Sequence, residues 1–320
     1  MNLAPDVLIL TRTDDFHAFA VSNALRDRGV SAAVVETNRL AAVGGLAWSV
    51  GGEGPATLPD TGGRRVDVSA ARVVWWRRFT GEHMVPDQVD SQARQFVAGE
   101  CRASLLGLLA TEANALYISD PEATRAASNK LVQLRAAKQA GLHVPRTLVS
   151  SDPVAVHEFC EAMDWNVIVK TVGGAGPRQP LLTGRLRPDL LQAAAVQLCP
   201  AIYQELIPGS RHLRVNVFGQ QIHAAELRSE RLDWRYPLDC EAAPTVLDRA
   251  TADQLTRVLD LLGLRMGIFD LKITPDGEVV WLEINPQGQF LWLEGLAGMP
   301  LLAAFTDFLI GSLEQQKALS

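Results

Sequence analysis

Sulfur and histidine are scarce in this 320-residue chain, and where they occur they are scattered. The four cysteines (Cys101, Cys160, Cys199 and Cys240) lie far apart with no Cys-x-x-Cys pair. That argues against a disulfide scaffold or a cysteine zinc site and for reduced, structural thiols. The six histidines (17, 83, 143, 157, 212 and 223) form no His-Glu-x-x-His and no close pair, so a zinc hydrolase is unsupported. Nucleotide fingerprints are missing as well. "GGAGPRQ" lacks the Gly-Lys-Ser/Thr ending of a Walker loop, and no Gly-x-Gly-x-x-Gly follows the first strand. In "AWSVG" (47–51) Ala47 stands where a nucleophile elbow needs glycine. Positive charge is in short supply, with a formal net charge of -6, which argues against a nucleic-acid partner. Long apolar runs are missing too. "MNLAPDVLILTRTDD" reads as no signal peptide, and "PLLAAFTDFLIG" is interrupted by Asp307 and too short for a bilayer. The expectation is a soluble cytoplasmic protein with no membrane partner.

What is present is the composition of an ordinary globular protein, 48% apolar and 21% charged, in a chain long enough for two or three subdomains. "VLIL" (7–10), "DDFHAFAVSNALRDRG" and "SAAVVE" read as strand, helix and strand, a βαβ opening that predicts a parallel sheet with right-handed crossovers. Residues 43–65, rich in Gly and Pro, suit short hairpins or loops; "RVVWWRR" (72–78) is a further strand, and a helix follows from about Ser91 to Leu109. Asp-Pro in "YISDPEAT" (117–124) ends this first region. Beyond it, "SNKLVQLRAAKQAGLHVP" reads as a helix capped by Ser128 and stopped at Gly141. "NVIVK", "AIYQELIPG", "HLRVNVFG" and "QIHAAELR" are strands, the last two joined at Gly219-Gln220. "TADQLTRVLDLLG" carries a capping box of Thr251 and Gln254, and a C-terminal helix starts near Pro300.

The stretch "DLKITPDGEVVWLEINPQGQ" (270–289) carries the sharpest chemistry. Glu283 and Asn285 project from one face of a strand, because side chains alternate with period two. The Pro-Asp-Gly turn folds Asp270 back beside them, and whether it shares their face depends on a bulge at Gly277. Three such oxygen ligands suit a hard cation such as Mg²⁺. An edge hairpin with solvated acids is the alternative, made awkward by apolar neighbours such as Trp281 and Ile284. Lys170 ends a central-looking strand before "TVGGAG", where it could reach a phosphate or simply lie at the surface. Lys130, in the first turn of its helix, opposes the helix dipole unless an anion binds there; exposed lysines often break that preference. Arginines are dense over 211–235 (Arg211, Arg214, Arg228, Arg231 and Arg235), with Asp233 and Trp234 between. Arg214 and Arg228 fall on strands that pair across the Gly219 turn, and they suit carboxylates and phosphates unless the face is merely solvated. Arg77 and Arg78 either line a strand-end crevice or form a buried salt bridge.

This order of motifs resembles the ATP-grasp ligases over roughly 121–310, with 1–120 similar to the domain that precedes them. "VVWWRR", "SNKLVQLRAAKQAGLHVPRTLVSSDP", "LDWR" and "LEINPQGQFLWLE" look like the ATP-grasp maturases of ribosomally made peptides, the graspetide or microviridin-type group. More distantly, the chain is similar to the ligase that adds glutamate to a ribosomal protein. The resemblance implies an α/β and α+β architecture: a Rossmann-like parallel-sheet domain over 1–120, a central or lid subdomain over 121–198, and a C-terminal subdomain with the Mg-ATP site over 199–320. It implies ATP phosphates held by Lys130 and Lys170, adenine at the segment Gln204, Glu205, Leu206 and Ile207, and Mg²⁺ held by Asp270, Glu283 and Asn285. A carboxylate would be activated as an acyl phosphate and joined to a hydroxyl or amine of one precursor peptide, with leader and acid-rich core. Arg214 and Arg228 would stabilise the transferring group, and Asp233 and Arg235 would orient the peptide. A small amino-acid or peptide ligase of the same fold, or a non-catalytic nucleotide-binding scaffold, are the rival readings; a homodimer is compatible with any of them. Two departures stand out. His212 occupies a position where the family commonly has Asp, and the loop from Gly173 to Gly184 is short.

Overall fold

The computed structural model describes residues 2–52, 54–78, 84–173, 183–234 and 240–319. They fall into two compact units, Met1–Pro121 with Pro300–Ser320, and Glu122–Met299.

In the first unit β1 (Val7–Thr11), α1 (Phe16–Asp27), β2 (Ala32–Glu36), α2 (Leu40–Val43), β3 (Thr57–Pro59), β4 (Arg65–Asp67), β5 (Val73–Trp76), α3 (Ser91–Glu112) and β6 (Leu116–Ile118) follow in order. The sheet runs β2-β1-β5-β6, every pair parallel. Its strands are short continuous apolar runs because both faces are covered: Val7 to Leu10 and Val73 to Trp75 have no solvent exposure. α1 starts where Asp15 accepts from the N–H of His17 and ends at Asp27, two residues before Gly29, whose φ of +77° favours glycine. The sparse region 43–65 supplies only the β3–β4 pair. The C-terminal helix, Leu301–Leu319, groups here rather than with residues 199–299. The reason is its stripe at four-residue spacing: Leu301, Phe305, Leu309 and Leu313 are all buried, and Phe305 packs on Trp75 with ring centroids 4.6 Å apart.

At the C-terminal ends of β1 and β5, Arg77 is fully buried and makes the salt bridge that was one of its two readings. Its Nε donates to Asp15 Oδ2 (3.1 Å), which also accepts from Thr11 Oγ1 (2.7 Å). Burial would raise the Asp15 carboxyl, but the Arg77 charge and the Thr11 hydroxyl outweigh it and hold it below the usual range.

The second unit contains α4 (Pro121–Ala127), α5 (Lys130–Ala140), β7 (Thr147–Ser150), α6 (Pro153–Glu161), β8 (Val167–Lys170), β9 (Gly184–Arg185), α7 (Ala193–Leu198), β10 (Ala201–Glu205), β11 (Arg211–Phe218), β12 (Gln221–Arg228), β13 (Glu241–Thr245), α8 (Arg249–Leu262), β14 (Met266–Ile273), β15 (Val279–Asn285) and α9 (Leu291–Ala297). Its strands make two sheets, β7-β10-β8-β9 and β13-β12-β11-β14-β15, with antiparallel pairing throughout. One face of the larger sheet packs on α5 and α8 through Leu213, Val215, Phe269, Leu271 and Trp281 against Ala137, Leu255, Val258 and Leu259. Both helices end on glycine in the left-handed region, Gly141 and Gly263. Their N-caps differ from expectation. Asn129, not Ser128, accepts from the N–H of Leu131, which puts Lys130 at the first helical position. Asp248 accepts both the N–H and the hydroxyl of Thr251, so no capping box forms around Gln254. In each case a side chain with a shorter reach to the free N–H groups takes the cap. Among the described residues no helix is long and apolar enough to cross a membrane.

His17 sits buried beside the Arg77 cluster, and burial, reinforced by the Arg77 charge, pulls its pKa down to about 3. Above pH 6.5 the ring is neutral folded or unfolded, so stability is at its plateau. As pH falls from 6.5 toward 3, the unfolded chain takes a proton that the folded one refuses, and stability is lost. Urea denaturation at pH 7 and pH 5 should show a loss on the order of 2 kcal/mol from this residue, and His17→Gln should remove that share of the difference.

Candidate active site

The register of the larger sheet sorts its residues onto two faces. Arg214 pairs with Asp270, and His212 with Lys272. Since Leu213 and Leu271 point into the helix-covered core, alternation turns His212, Arg214, Asp270 and Lys272 to the other side. On β15 simple alternation would fail. Leu271 pairs with Trp281, yet Asp270 pairs with Glu283, so Leu282 is an extra residue bulged out of the ladder. Without that bulge Asp270 would oppose Leu282, and Glu283 would turn toward the core beside Phe269. The phase shift brings Glu283 and Asn285 onto the face of Asp270. It lies at Leu282 rather than Gly277, because Gly277 is taken up by the turn, where its N–H donates to Thr274 O (2.9 Å) and its φ is +91°.

The three side chains converge. Asn285 Nδ2 lies 3.4 Å from Asp270 Oδ2 and 3.3 Å from Glu283 Oε1. Two cations face the acids. Lys130 Nζ donates to Glu283 Oε2 (2.7 Å), and Arg214 Nη1 donates to both oxygens of Asp270 (2.8 Å each). Arg214 Nη2 donates to the carbonyl of Gln289 (2.8 Å), and its guanidinium lies 5.9 Å and 5.8 Å from the rings of Trp234 and Trp292. β15 is the edge strand, and α5 holds it through Gln133, which is 1% exposed. Gln133 Oε1 accepts from the N–H of Ile284 (3.2 Å), and its Nε2 donates to Ile284 O (2.8 Å) and Ala127 O (2.7 Å). One side chain thus fixes the residue between Glu283 and Asn285 relative to the helix that carries Lys130.

A cleft adjoins this cluster. Ile168, Lys170 and Gln204 to Ile207 line one side, and His212, Leu232 to Trp234, Lys272, Leu282 and Glu283 the other. Lys170 Nζ donates to Gln204 Oε1 (2.8 Å), whose amide in turn donates to Thr147 Oγ1 (2.9 Å). The N–H groups of Glu205 and Leu206 donate to Arg146 O and Asn166 O. Burial, with the Lys272 charge beside it, pulls the His212 pKa down to about 4, against the opposing pull of the Ser229 backbone and Asp233. Burial likewise lowers Lys272.

Of the residues expected to act together, Lys130, Asp270, Glu283, Asn285 and Arg214 form one connected cluster, while Lys170, Gln204 to Ile207 and Asp233 line the adjoining cleft. Arg228 is not among them. It pairs with Arg211, an odd number of positions from Arg214, so alternation places it on the opposite face, exposed beside Glu226. Arg235 and most of the loop from Gly173 to Gly184 lie outside the described residues. Sequence reasoning passed over Gln133 and Lys272. Gln133 reads as an ordinary helix residue. Lys272 had a usable signal, a cation two residues beyond Asp270 in an otherwise apolar strand.

The donor chemistry fits a hard divalent cation: two carboxylates and an amide within contact of one another, with Lys130 and Arg214 offsetting their charge. Among the described residues no cluster of three His, Cys, Asp or Glu side chains forms, so the amide is an integral member.

A parallel-sheet domain followed by two antiparallel sheets beside a lysine- and acid-lined cleft is the arrangement of the ATP-grasp fold. Residues 6–125 match the family model of the MvdD pre-ATP grasp domain. Over nearly its whole length the chain shares the fold of RiPP ATP-grasp macrocyclases. Macrocyclase MdnC from Microcystis aeruginosa MRC, bound with precursor peptide MdnA, superposes with a TM-score of 0.86 at 29% identity, covering 95% of this chain and 99% of that one. ATP-grasp ligase PsnB, complexed with a phosphomimetic variant of its minimal precursor, Mg and ADP, gives 0.76 at 26% identity over 97% and 99%. A Chryseobacterium gregarium RiPP-associated ATP-grasp ligase, in complex with ADP and a leader and core peptide, gives 0.85 at 24% identity over 97% of each chain, a likeness of fold. No curated protein sequence matches.

Replacing Gln133 by Leu strands the buried N–H and C=O of Ile284. Each orphaned group costs about 1–3 kcal/mol, so Gln133→Leu should lower the unfolding free energy by about 2–6 kcal/mol in urea titration.

Proposed function

We propose that this chain is an ATP- and Mg²⁺-dependent carboxylate ligase acting on a ribosomally made peptide, activating its side-chain carboxylates and joining them to hydroxyl or amine side chains. The observation that supports this most is the bulge-set trio of Asp270, Glu283 and Asn285, flanked by Lys130 and opening on a cleft that also holds Lys170. The peptide substrate is supported by the whole-chain likeness to MdnC and PsnB, both seen with precursor peptides.

In this reading the adenine lies against 204–207. The N–H groups of Glu205 and Leu206 are already engaged, which leaves Ile207 as the hinge donor. Lys170 and Lys130 bind the phosphates, lowering the repulsion between the nucleotide and the incoming carboxylate. Asp270, Glu283 and Asn285 hold Mg²⁺, which supplies charge neutralisation at the phosphates when bound. The peptide carboxylate attacks the γ-phosphorus, ADP leaves, and an acyl phosphate forms. A hydroxyl or amine of the same peptide then attacks the acyl carbon, inorganic phosphate departs with the C–O bond, and the nucleophile gives up its proton. Arg214, held by Asp270 and the Gln289 carbonyl between two tryptophans, is a fixed positive group beside the acids and stabilises charge developing there. Arg228 has no part in that step. Its exposed position, with Arg211 opposite, suits an acidic peptide segment passing outside the cleft. Asp233, in the cleft wall, and Arg235 orient the peptide.

With ATP, Mg²⁺ and a precursor rich in Thr, Ser, Lys, Asp and Glu, ADP should form in step with the loss of one water mass per bond. Turnover with free amino acids alone would replace this reading with a small-substrate ligase; no ADP with any acceptor would replace it with a binding scaffold. Glu283→Gln should weaken Mg²⁺-ATP binding at least about tenfold in calorimetry while the melting temperature holds, and unchanged affinity would remove the metal assignment.

A further inference from the structure

Three strands of the smaller sheet carry a chain of hydrogen bonds that runs from Lys170 through Gln204 to Thr147. Leu148 of β7, Tyr203 of β10 and Val167 and Val169 of β8 pack with Val156 and Cys160 of α6. Alternation therefore turns Thr147, Gln204, Ile168 and Lys170 to the opposite face. Gln204 stands directly across from Thr147 on one side and Ile168 on the other, with Lys170 two residues farther along β8. The chain has one direction. Thr147 Oγ1 gives its single proton to the carbonyl of Pro145 (2.8 Å), so toward Gln204 it can only accept. Gln204 accordingly turns Nε2 to Thr147 (2.9 Å), which leaves Oε1 as the acceptor for Lys170 Nζ (2.8 Å). Gln204 is 2% exposed, so its amide is satisfied by these two partners rather than by bulk water.

We propose that Thr147 and Gln204 are positioning residues for Lys170, aiming its ammonium at the nucleotide phosphates, a role that rests on the ATP reading above. The same geometry accounts for a glutamine at this place. An amide oxygen fixes the ammonium without adding a negative charge beside it. A carboxylate there would hold Lys170 by charge and compete with the phosphates for it. Turning the amide end for end would present N–H groups to the ammonium, and the Thr147 hydroxyl excludes that orientation by requiring a donor. Links of this kind polarise one another in a chain, so the hydroxyl acts on the lysine through the amide. In the nucleotide site the Gln204 side chain thus works through the lysine rather than on the base.

The test is calorimetric titration of the full-length protein with Mg²⁺-ATP and, by displacement, with adenosine, in wild type, Gln204→Glu, Thr147→Val and Thr147→Ser. Gln204→Glu should bind ATP about tenfold more weakly while its affinity for adenosine stays at the wild-type value. Its melting temperature should hold, because Thr147 can turn its proton to the new carboxylate. Thr147→Val should lose about threefold for ATP alone, the effect of one hydrogen bond, and Thr147→Ser should restore it. The two threonine variants carry the test if the glutamate variant does not fold. Unchanged ATP affinity in Gln204→Glu or in Thr147→Val would overturn the proposal, as would a serine variant no better than valine. Equal losses for ATP and adenosine would also overturn it, since they mark contact with the base. Each of these leaves the ATP site standing; failure of wild type to bind ATP would remove the ATP reading itself.

Discussion

One unpaired residue, Leu282, decides which way the chemistry of the second unit points. A β-strand alternates faces, so inserting one residue reverses everything beyond it. Up to Trp281 the strand follows the core phase with Leu271 opposite; from Glu283 on it follows the phase of Asp270. The same strand can therefore bury Trp281 and Ile284 against α5 and α8 while presenting Glu283 and Asn285 to the cleft. Two acids and an amide would otherwise be split between the two sides of the sheet. A bulge also leaves ladder groups unpaired and bends an edge strand, which is an unstable place for a precise site. Here the outer edge is closed by Gln133 at Ile284 and by the carbonyl of His143, which accepts from the N–H of Trp281 (2.8 Å).

The acid cluster is stable without a ligand because its charges are already answered. Asp270 is 5% exposed, and a lone carboxylate there would be protonated or expelled. The bidentate Arg214, itself locked by a carbonyl and two indole faces, makes that burial tolerable. Lys130 does the same for the more open Glu283 from the first position of α5. A cation there opposes the helix dipole by a few tenths of a kcal/mol up to about 1, and the carboxylate 2.7 Å away reverses the sign. The misfit between residue and helix end that is visible in the sequence is thus resolved by a contact 153 residues away along the chain.

Local patterns carried much of this information. The parallel opening could be read from continuous apolar runs, the glycine helix stops at 141 and 263 from their position, and the shared face of Glu283 and Asn285 from their spacing, whereas Asp270 joins them only through the bulge at Leu282. What failed needed knowledge of register or reach. Arg214 and Arg228 are on paired strands, but face depends on parity across the turn, and parity set Arg228 with Arg211. Ser128 and Asn129 are equally good caps on paper; only the geometry of entry favours Asn129. The C-terminal helix was assigned by proximity in sequence, whereas its apolar stripe had a partner in Trp75 and the first sheet. Gln133 gave no signal, since a buried glutamine is identified by its partners rather than its spacing.

The two faces of the larger sheet divide stability from function. The helix-covered side is closed by aliphatic and aromatic contacts, with Leu213, Val215, Val217, Phe269 and Leu271 all at least 96% buried. On the other side, the Nε of Arg214 and the amide oxygen of Asn216 are buried without hydrogen-bond partners among the described residues. Two such groups on one face of one strand are more than a surface chosen for stability alone would retain, since each costs about 1–3 kcal/mol. Their clustering follows from alternation: the residues at 212, 214 and 216 share a face because those at 213, 215 and 217 must be apolar. The core therefore sets the spacing of the polar groups on the opposite face of the strand.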